Sequence, residues 1–224
     1  MRLNFRLLGP LAVGTLVSCG GMGFGLESDQ TFVEGPPPLM DSIQGQTFLL
    51  DFADVQHTVP SGLANMATVF GGKGLLLHVV AEADEHLDMA VALSDEAGNQ
   101  NGCETVQPLP SSDWTNPSFE TAPISTELSL GGEPVLVESF ELEGMFADEG
   151  YCVEGLRLAG VFDMRDLGPD ALGDGEACAI VEQLNGTCLP CKDGQYSCVE
   201  IELNASYAER VDIPFDPLLD TSGC

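Results

Sequence analysis

Apolar residues recur with a period of two along most of the chain, the spacing that puts alternate side chains on opposite faces of a β-strand. Phe48, Leu50 and Phe52 alternate with Leu49, Asp51 and Ala53. Leu87, Met89, Val91 and Leu93 alternate with Asp88, Ala90, Ala92 and Ser94. Leu75 to Val80 is a short apolar run following Gly71, Gly72 and Gly74, as expected of a buried strand that leaves a glycine turn. Thr126 to Leu130 and a Gly131-Gly132 turn lead into two longer strands, expected from Val135 to Phe146 and from Tyr151 to Phe162. In the first, Val135 and Val137 are apolar at odd positions but Phe140, Leu142 and Phe146 at even ones. That change of phase predicts a bulge near Ser139, which bends the strand.

Elsewhere the pattern changes. Pro108, Pro110, Trp114 and Pro117 read as a loop. Beyond Arg165, the residues Leu172, Cys178, Val181 and Leu184 share one face of a short helix, and Asn185-Gly186 is its stop. Val199, Ile201 and Leu203 then alternate with Glu200, Glu202 and Asn204 in a last strand. The fold class expected is mainly β: an antiparallel barrel or sandwich with one short C-terminal helix. Strands followed by a late helix and a final strand resemble the order of elements in lipocalins. That likeness is one of architecture only, because no lipocalin sequence motif is present.

The N-terminus has a different character. Arg2 and Arg6 precede an apolar segment from Leu7 to Val17, shorter than the roughly 20 residues of a membrane-spanning helix. It closes on Leu16-Val17-Ser18-Cys19 followed by Gly20, which resembles the lipobox of bacterial lipoproteins. The resemblance covers the signal region alone. It implies that residues 1–18 are removed, that the Cys19 thiol carries a diacylglyceryl group, and that the new amine is acylated. Such a chain is held to a membrane through its lipid. Gly20 stands where Asp would favour inner-membrane retention in enteric bacteria, which implies the outer membrane. The alternative is a secretory signal with an unmodified cysteine at its end. From residue 19 to 45 the chain is rich in glycine and acidic residues and carries Pro36, Pro37 and Pro38, as a flexible tether would. A single β-rich domain is expected over 46–224, with a cysteine-rich segment over 178–224.

Charge narrows the range of partners. Beyond Cys19 only Lys73, Arg157, Arg165, Lys192 and Arg210 stand against 36 acidic residues, a formal charge of −31. Such a surface repels phosphate backbones, so nucleic acid is excluded as a partner. Diffuse solvation explains the acidity more simply than a specific cation site does. Asp163, Asp166, Asp170 and Asp174 are the candidate calcium ligands, though their spacing does not follow a calcium-loop order. Glu82, Asp84 and Glu85 beside His86 form a second acidic group, read as a solvated rim.

Seven cysteines follow Cys19: Cys103, Cys152, Cys178, Cys188, Cys191, Cys198 and Cys224. In an oxidising compartment all are disulfide candidates, and the segment from Cys178 to Cys198 is the densest in staples. The pairings favoured are Cys178 with Cys198 or Cys188, and Cys103 with Cys152, leaving Cys224 unpaired. Cys188-Leu189-Pro190-Cys191 has the form of a dithiol redox motif, but a turn at Lys192-Asp193-Gly194 follows it and not a helix. A four-cysteine zinc site lacks a second Cys-x-x-Cys knuckle. His57, His78 and His86 belong to no catalytic motif, and no Gly-x-Ser-x-Gly, His-Glu-x-x-His or phosphate loop occurs.

The expectation is a cofactor-free, non-catalytic lipoprotein of the cell envelope that binds an apolar ligand or a partner protein. The alternative is a structural or assembly lipoprotein with a filled core and no ligand.

Overall fold

Thr47 lies beside His78 on one flank and beside Val211 on the other, so the first strand of the domain joins the last and the sheet closes on itself. This is a computed structural model, which describes residues 38–39, 41–61, 74–103, 106–130, 133–165, 177–183 and 185–219. Its strands are β1 (Thr47–Asp51), β2 (Val55–Val59), β3 (Gly74–Glu82), β4 (His86–Leu93), β5 (Gln107–Pro108) and β6 (Ser112–Thr115). They continue as β7 (Ser118–Glu120), β8 (Ile124–Leu130), β9 (Glu133–Ala147), β10 (Cys152–Asp163), β11 (Cys188–Pro190) and β12 (Tyr196–Val211). Among the described residues one helix, α1 (Ala177–Gln183), lies between β10 and β11.

The ring runs β1-β3-β4-β6-β7-β9-β10-β12 and back to β1, a closed antiparallel barrel of eight strands. The ring strands follow one another in chain order, with β2, β5, β8 and β11 falling between them in sequence, so it is an up-and-down meander and not a sandwich. β2, β5, β8 and β11 extend ring strands or pair along their edges: β2 and β11 on β12, β5 on β4, and β8 on β9.

Every ring strand sends buried apolar side chains inward. The interior is built from Phe48, Leu77, Met89, Trp114, Phe119, Phe146, Val153 and Val199, one from each strand of the ring. The alternation expected from Leu87 to Leu93 holds only at its start. Leu87 and Met89 are buried in this core with Asp88 exposed between them, but beyond Met89 both faces are covered, Ala90 and Ala92 being buried and Val91 and Leu93 half-buried. Polarity is thus apolar inside with carboxylates outside, the reverse of a transmembrane barrel, whose lipid-facing surface is apolar. No helix among the described residues is long and apolar enough to cross a membrane.

The bulge expected near Ser139 is present. Between Ala159–Glu141 and Phe162–Val137 the register gains one residue on β9, which lets both Val137 and Phe140 point inward. A second bulge, on β10 between Glu154 and Arg157, contains Gly155 at φ +58, a conformation suited to glycine. Gly144 has a packing role. It pairs with Phe119, and a Cβ there would sit 2.7 Å from the end of that ring.

Three expectations need correction. Phe52 is buried, but it belongs to a 3₁₀ turn (Phe52–Asp54) capped by the Asp51 carboxylate, which accepts from the Ala53 N–H, and not to the strand. The segment around Trp114 is the β6–β7 hairpin and not a loop, with Trp114 only 7 % exposed. Ile43, expected in the tether, is buried in the core, and the Asn116 amide group grips both the N–H and the carbonyl of Leu39.

α1 ends as expected. Asn185 takes φ +61, its N–H bonds the Glu182 carbonyl, and the Gly186 N–H bonds the Val181 carbonyl, a Schellman cap. Leu172 and Leu184 lie outside the described residues.

Candidate functional site

The cysteine-rich segment is a structural staple. Cys178 bonds Cys188, and Cys191 bonds Cys198. The first is one of the two pairings expected for Cys178. The two cysteines of Cys188-Leu189-Pro190-Cys191 therefore belong to different bridges, and the redox and four-thiol zinc readings both fall. Cys103 and Cys152 are also disulfide-bonded. The bridges between described residues do not include the expected Cys103–Cys152 pair. Cys19 and Cys224 lie outside the described residues.

Asp163 ends β10 and is 3 % exposed. Its carboxylate approaches the Cys191 and Cys198 sulfurs within 4.8 Å, the geometry of a metal cluster, but those sulfurs are bonded to each other. A disulfide sulfur is not a thiolate ligand. The Asp163 oxygens are taken up by the Arg165 guanidinium, which holds the carboxyl below its ordinary range. Arg165 also pairs with Asp193. Of the calcium candidates, Asp163 is thus neutralised within the protein, and Asp166, Asp170 and Asp174 lie outside the described residues.

A second charged cluster sits on the outer face of β9, β10 and β12. Arg157 is 2.9 Å from Glu141, 3.7 Å from Glu143 and 3.3 Å from Glu202. The Asn204 amide donates to Glu202, which together with Arg157 lowers that carboxyl. Lys192 donates to the Ser125 hydroxyl at 2.9 Å, and Arg210 lies 4.1 Å over the Tyr151 ring. Each cation among the described residues is thereby engaged. Glu82, in the acidic group beside His86, accepts from Ser42 Oγ and the Ile43 N–H and so docks the incoming chain.

His57 is exposed on β2, His86 is exposed at the start of β4, and His78 lies between β1 and β4 on the outer face of β3. The three are not brought together into a site. The C-terminal segment after β12 crosses this face. Phe215 stacks on His78, and the Gln100 side chain donates to the Asp216 carbonyl at 2.9 Å and accepts from its N–H at 2.7 Å. Asn99, Gln100, Pro214, Phe215, Asp216 and Leu219 line a shallow, open depression there.

The feature that sequence reading missed is a seam in the barrel wall. β6 and β7 pair through Asp113–Glu120, Trp114–Phe119 and Thr115–Ser118. The ladder reaches Ser112 and Thr121, whose hydroxyls bond at 2.8 Å, and then stops. Continuing the register would set Pro110 opposite Pro123, and proline has no N–H to offer. Beyond that point, among the described residues, β5 pairs only with β4, and β8 only with β9. A side-chain bond bridges the gap: Gln107 Nε2 donates to the Glu127 carbonyl at 3.1 Å.

Comparison with family models, with curated proteins and with solved structures finds no match for this chain. Its class rests on its own geometry: a closed eight-stranded antiparallel β-barrel with a doubly disulfide-bridged C-terminal segment.

Proposed function

We propose that this chain is an exported lipoprotein, held in the cell envelope by acyl chains on Cys19, and that its barrel is a non-catalytic module engaging a partner protein through its outer surface. The observation that carries the choice of partner is the packing around Phe146. Its ring lies 5.2 Å from that of Phe48, 5.2 Å from Phe119 and 5.7 Å from Trp114, centroid to centroid. Barrels of about eight strands either fill their interior with side chains or hold one small ligand, and these four rings, from β1, β6, β7 and β9, meet inside the barrel. Aromatic packing across the interior favours a protein partner, or the purely structural alternative, over an apolar ligand. The groups best suited to chemistry are engaged elsewhere: Asp163 with Arg165, four cysteines in bridges, and His78 under Phe215.

Metabolic labelling with a fatty acid tests the anchor. The wild-type chain should take up label, and Cys19→Ser should take up none and retain its signal. A thioether-linked Cys19 cannot also form a disulfide, so recovery of Cys19 joined to Cys103 or Cys152 in the exported protein would overturn the anchor. Native mass spectrometry tests the filled interior: the delipidated barrel should carry no bound apolar molecule.

A further inference from the structure

We propose that the open edge of β8 is a docking site for an extended, lysine- or arginine-bearing strand of a partner protein. The inference deepens the partner-protein reading above and rests on it.

The carbonyl of Glu127 faces the seam, because Gln107 reaches it there. In an antiparallel strand both backbone groups of a residue point to one side, and alternate residues share that side. The Glu127 N–H and both backbone groups of Ser129 therefore face the seam as well. On the other side, Ser129 stands opposite Pro134 in a non-hydrogen-bonded pair, where a proline costs the ladder no bond. Among the described residues no backbone group pairs with this edge. The prolines at 108, 110 and 123 explain why the barrel does not close it.

What such an edge recognises is another extended backbone, because its donors and acceptors repeat at strand spacing. Its charge narrows the choice. Glu127 is exposed on this strand, and the chain as a whole carries a net formal charge of −29. A second copy would set like charges directly opposite, which destabilises a strand pair, whereas a cation opposite Glu127 stabilises it. Lys192, which reaches Ser125 on the same strand, is already held there and on the Glu138 carbonyl. Natural proteins often protect an edge with one charge, and Glu127 does so against self-pairing. Toward a basic strand the same charge is attractive.

The test uses the intact chain and a capped peptide of alternating lysine and valine, seven residues long to match β8. Controls are the glutamate–valine peptide and lysine–valine peptides N-methylated at alternate residues, in both registers. Amide hydrogen exchange should slow at least about tenfold at Glu127 and Ser129 with the lysine peptide only. N-methylation in one register should weaken binding by about tenfold, the effect of one or two lost hydrogen bonds. Glu127→Lys should reverse the preference between lysine and glutamate peptides while leaving the β-sheet spectrum unchanged. Binding that ignores N-methylation and protects no β8 amide would be diffuse attraction to an acidic surface and would overturn the proposal. Absence of binding would overturn it too. Neither result touches the anchor, which fatty-acid labelling tests separately.

Discussion

The His78 imidazole lies flat on the ring of Phe215, centroids 4.4 Å apart and planes 6° from parallel, so the C-terminal segment is seated on the barrel wall through a titratable group. The Nδ1 atom lies 2.9 Å from Thr47 Oγ1. Burial holds the imidazole pKa below its ordinary value of about 6.5. Below that value the unfolded chain binds more protons at this site than the folded one, so stability rises with pH. The contribution is complete above about pH 6.5 and is lost as the pH falls through the lower folded value. We expect the melting temperature to drop between about pH 7.5 and pH 5.5 by more in the wild type than in His78→Gln. Parallel pH profiles for the two proteins would show that His78 does not couple to stability.

Phe146 is the centre of the aromatic cluster, in contact with rings from β1, β6 and β7. Truncation there leaves a cavity that neighbouring strands of a closed ring cannot collapse into. Phe146→Ala should cost about 3–5 kcal/mol, read as a lower urea midpoint at an unchanged slope. A loss below about 1 kcal/mol would mean that the interior is not packed at this level.

The parts of this fold legible in the sequence are those set by local contrast between interior and water. Leu87, Asp88 and Met89 alternated because one face of β4 meets the core there. The phase change around Ser139 was visible because a bulge shifts every later side chain by one position. Asn185-Gly186 marked the end of α1 because a left-handed cap is a local requirement. Closure was not legible: the pairing of Thr47 with Val211 joins the two ends of the domain and leaves no local trace. The β6–β7 hairpin was hidden by the prolines around it, although Ser112 and Trp114 are buried and Asp113 and Thr115 exposed in strict alternation. The far half of β12 was missed because Ala205 and Ala208 are both buried, three apart, which breaks the period of two. The seam depends on Pro110 and Pro123 falling opposite one another, a matter of register that composition cannot supply.

The two C-terminal bridges close loops with sequence separations of 10 and 7 residues. Loops this short gain about 2.5 kcal/mol from restricting the unfolded chain in the entropic account. Cys191 and Cys198 are both buried, and Cys198 pairs with Asp163 across β12 and β10. We expect the double substitution Cys191→Ser, Cys198→Ser to lower stability by about that amount or more, because it also places hydroxyls in a buried site. Non-reducing peptide mapping should recover Cys178–Cys188 and Cys191–Cys198. Recovery of Cys178–Cys198 would contradict the fold of the segment.

The acidic surface sets the response to salt. With 36 acidic and 7 basic residues, negative charge is in large excess, and the folded barrel holds it closer together than the unfolded chain does. Salt shortens the Debye length from about 30 Å at 0.01 M to about 10 Å at 0.1 M, so monovalent salt should raise the melting temperature mostly over that range. Calcium separates diffuse acidity from a built site. A specific site stabilises by mass action, about 2.7 kcal/mol when the free ion is at 100 times its dissociation constant, at concentrations too low to change screening. Asp163, the described member of the calcium candidates, already has its charge met by Arg165, and its pKa is lowered chiefly by that hydrogen bonding. A cation arriving there would have to displace the guanidinium. At matched ionic strength, calcium should therefore add little to the stabilisation that sodium chloride gives. A large shift that saturates at micromolar calcium, and that Asp163→Asn abolishes, would make the end of β10 a cation site after all.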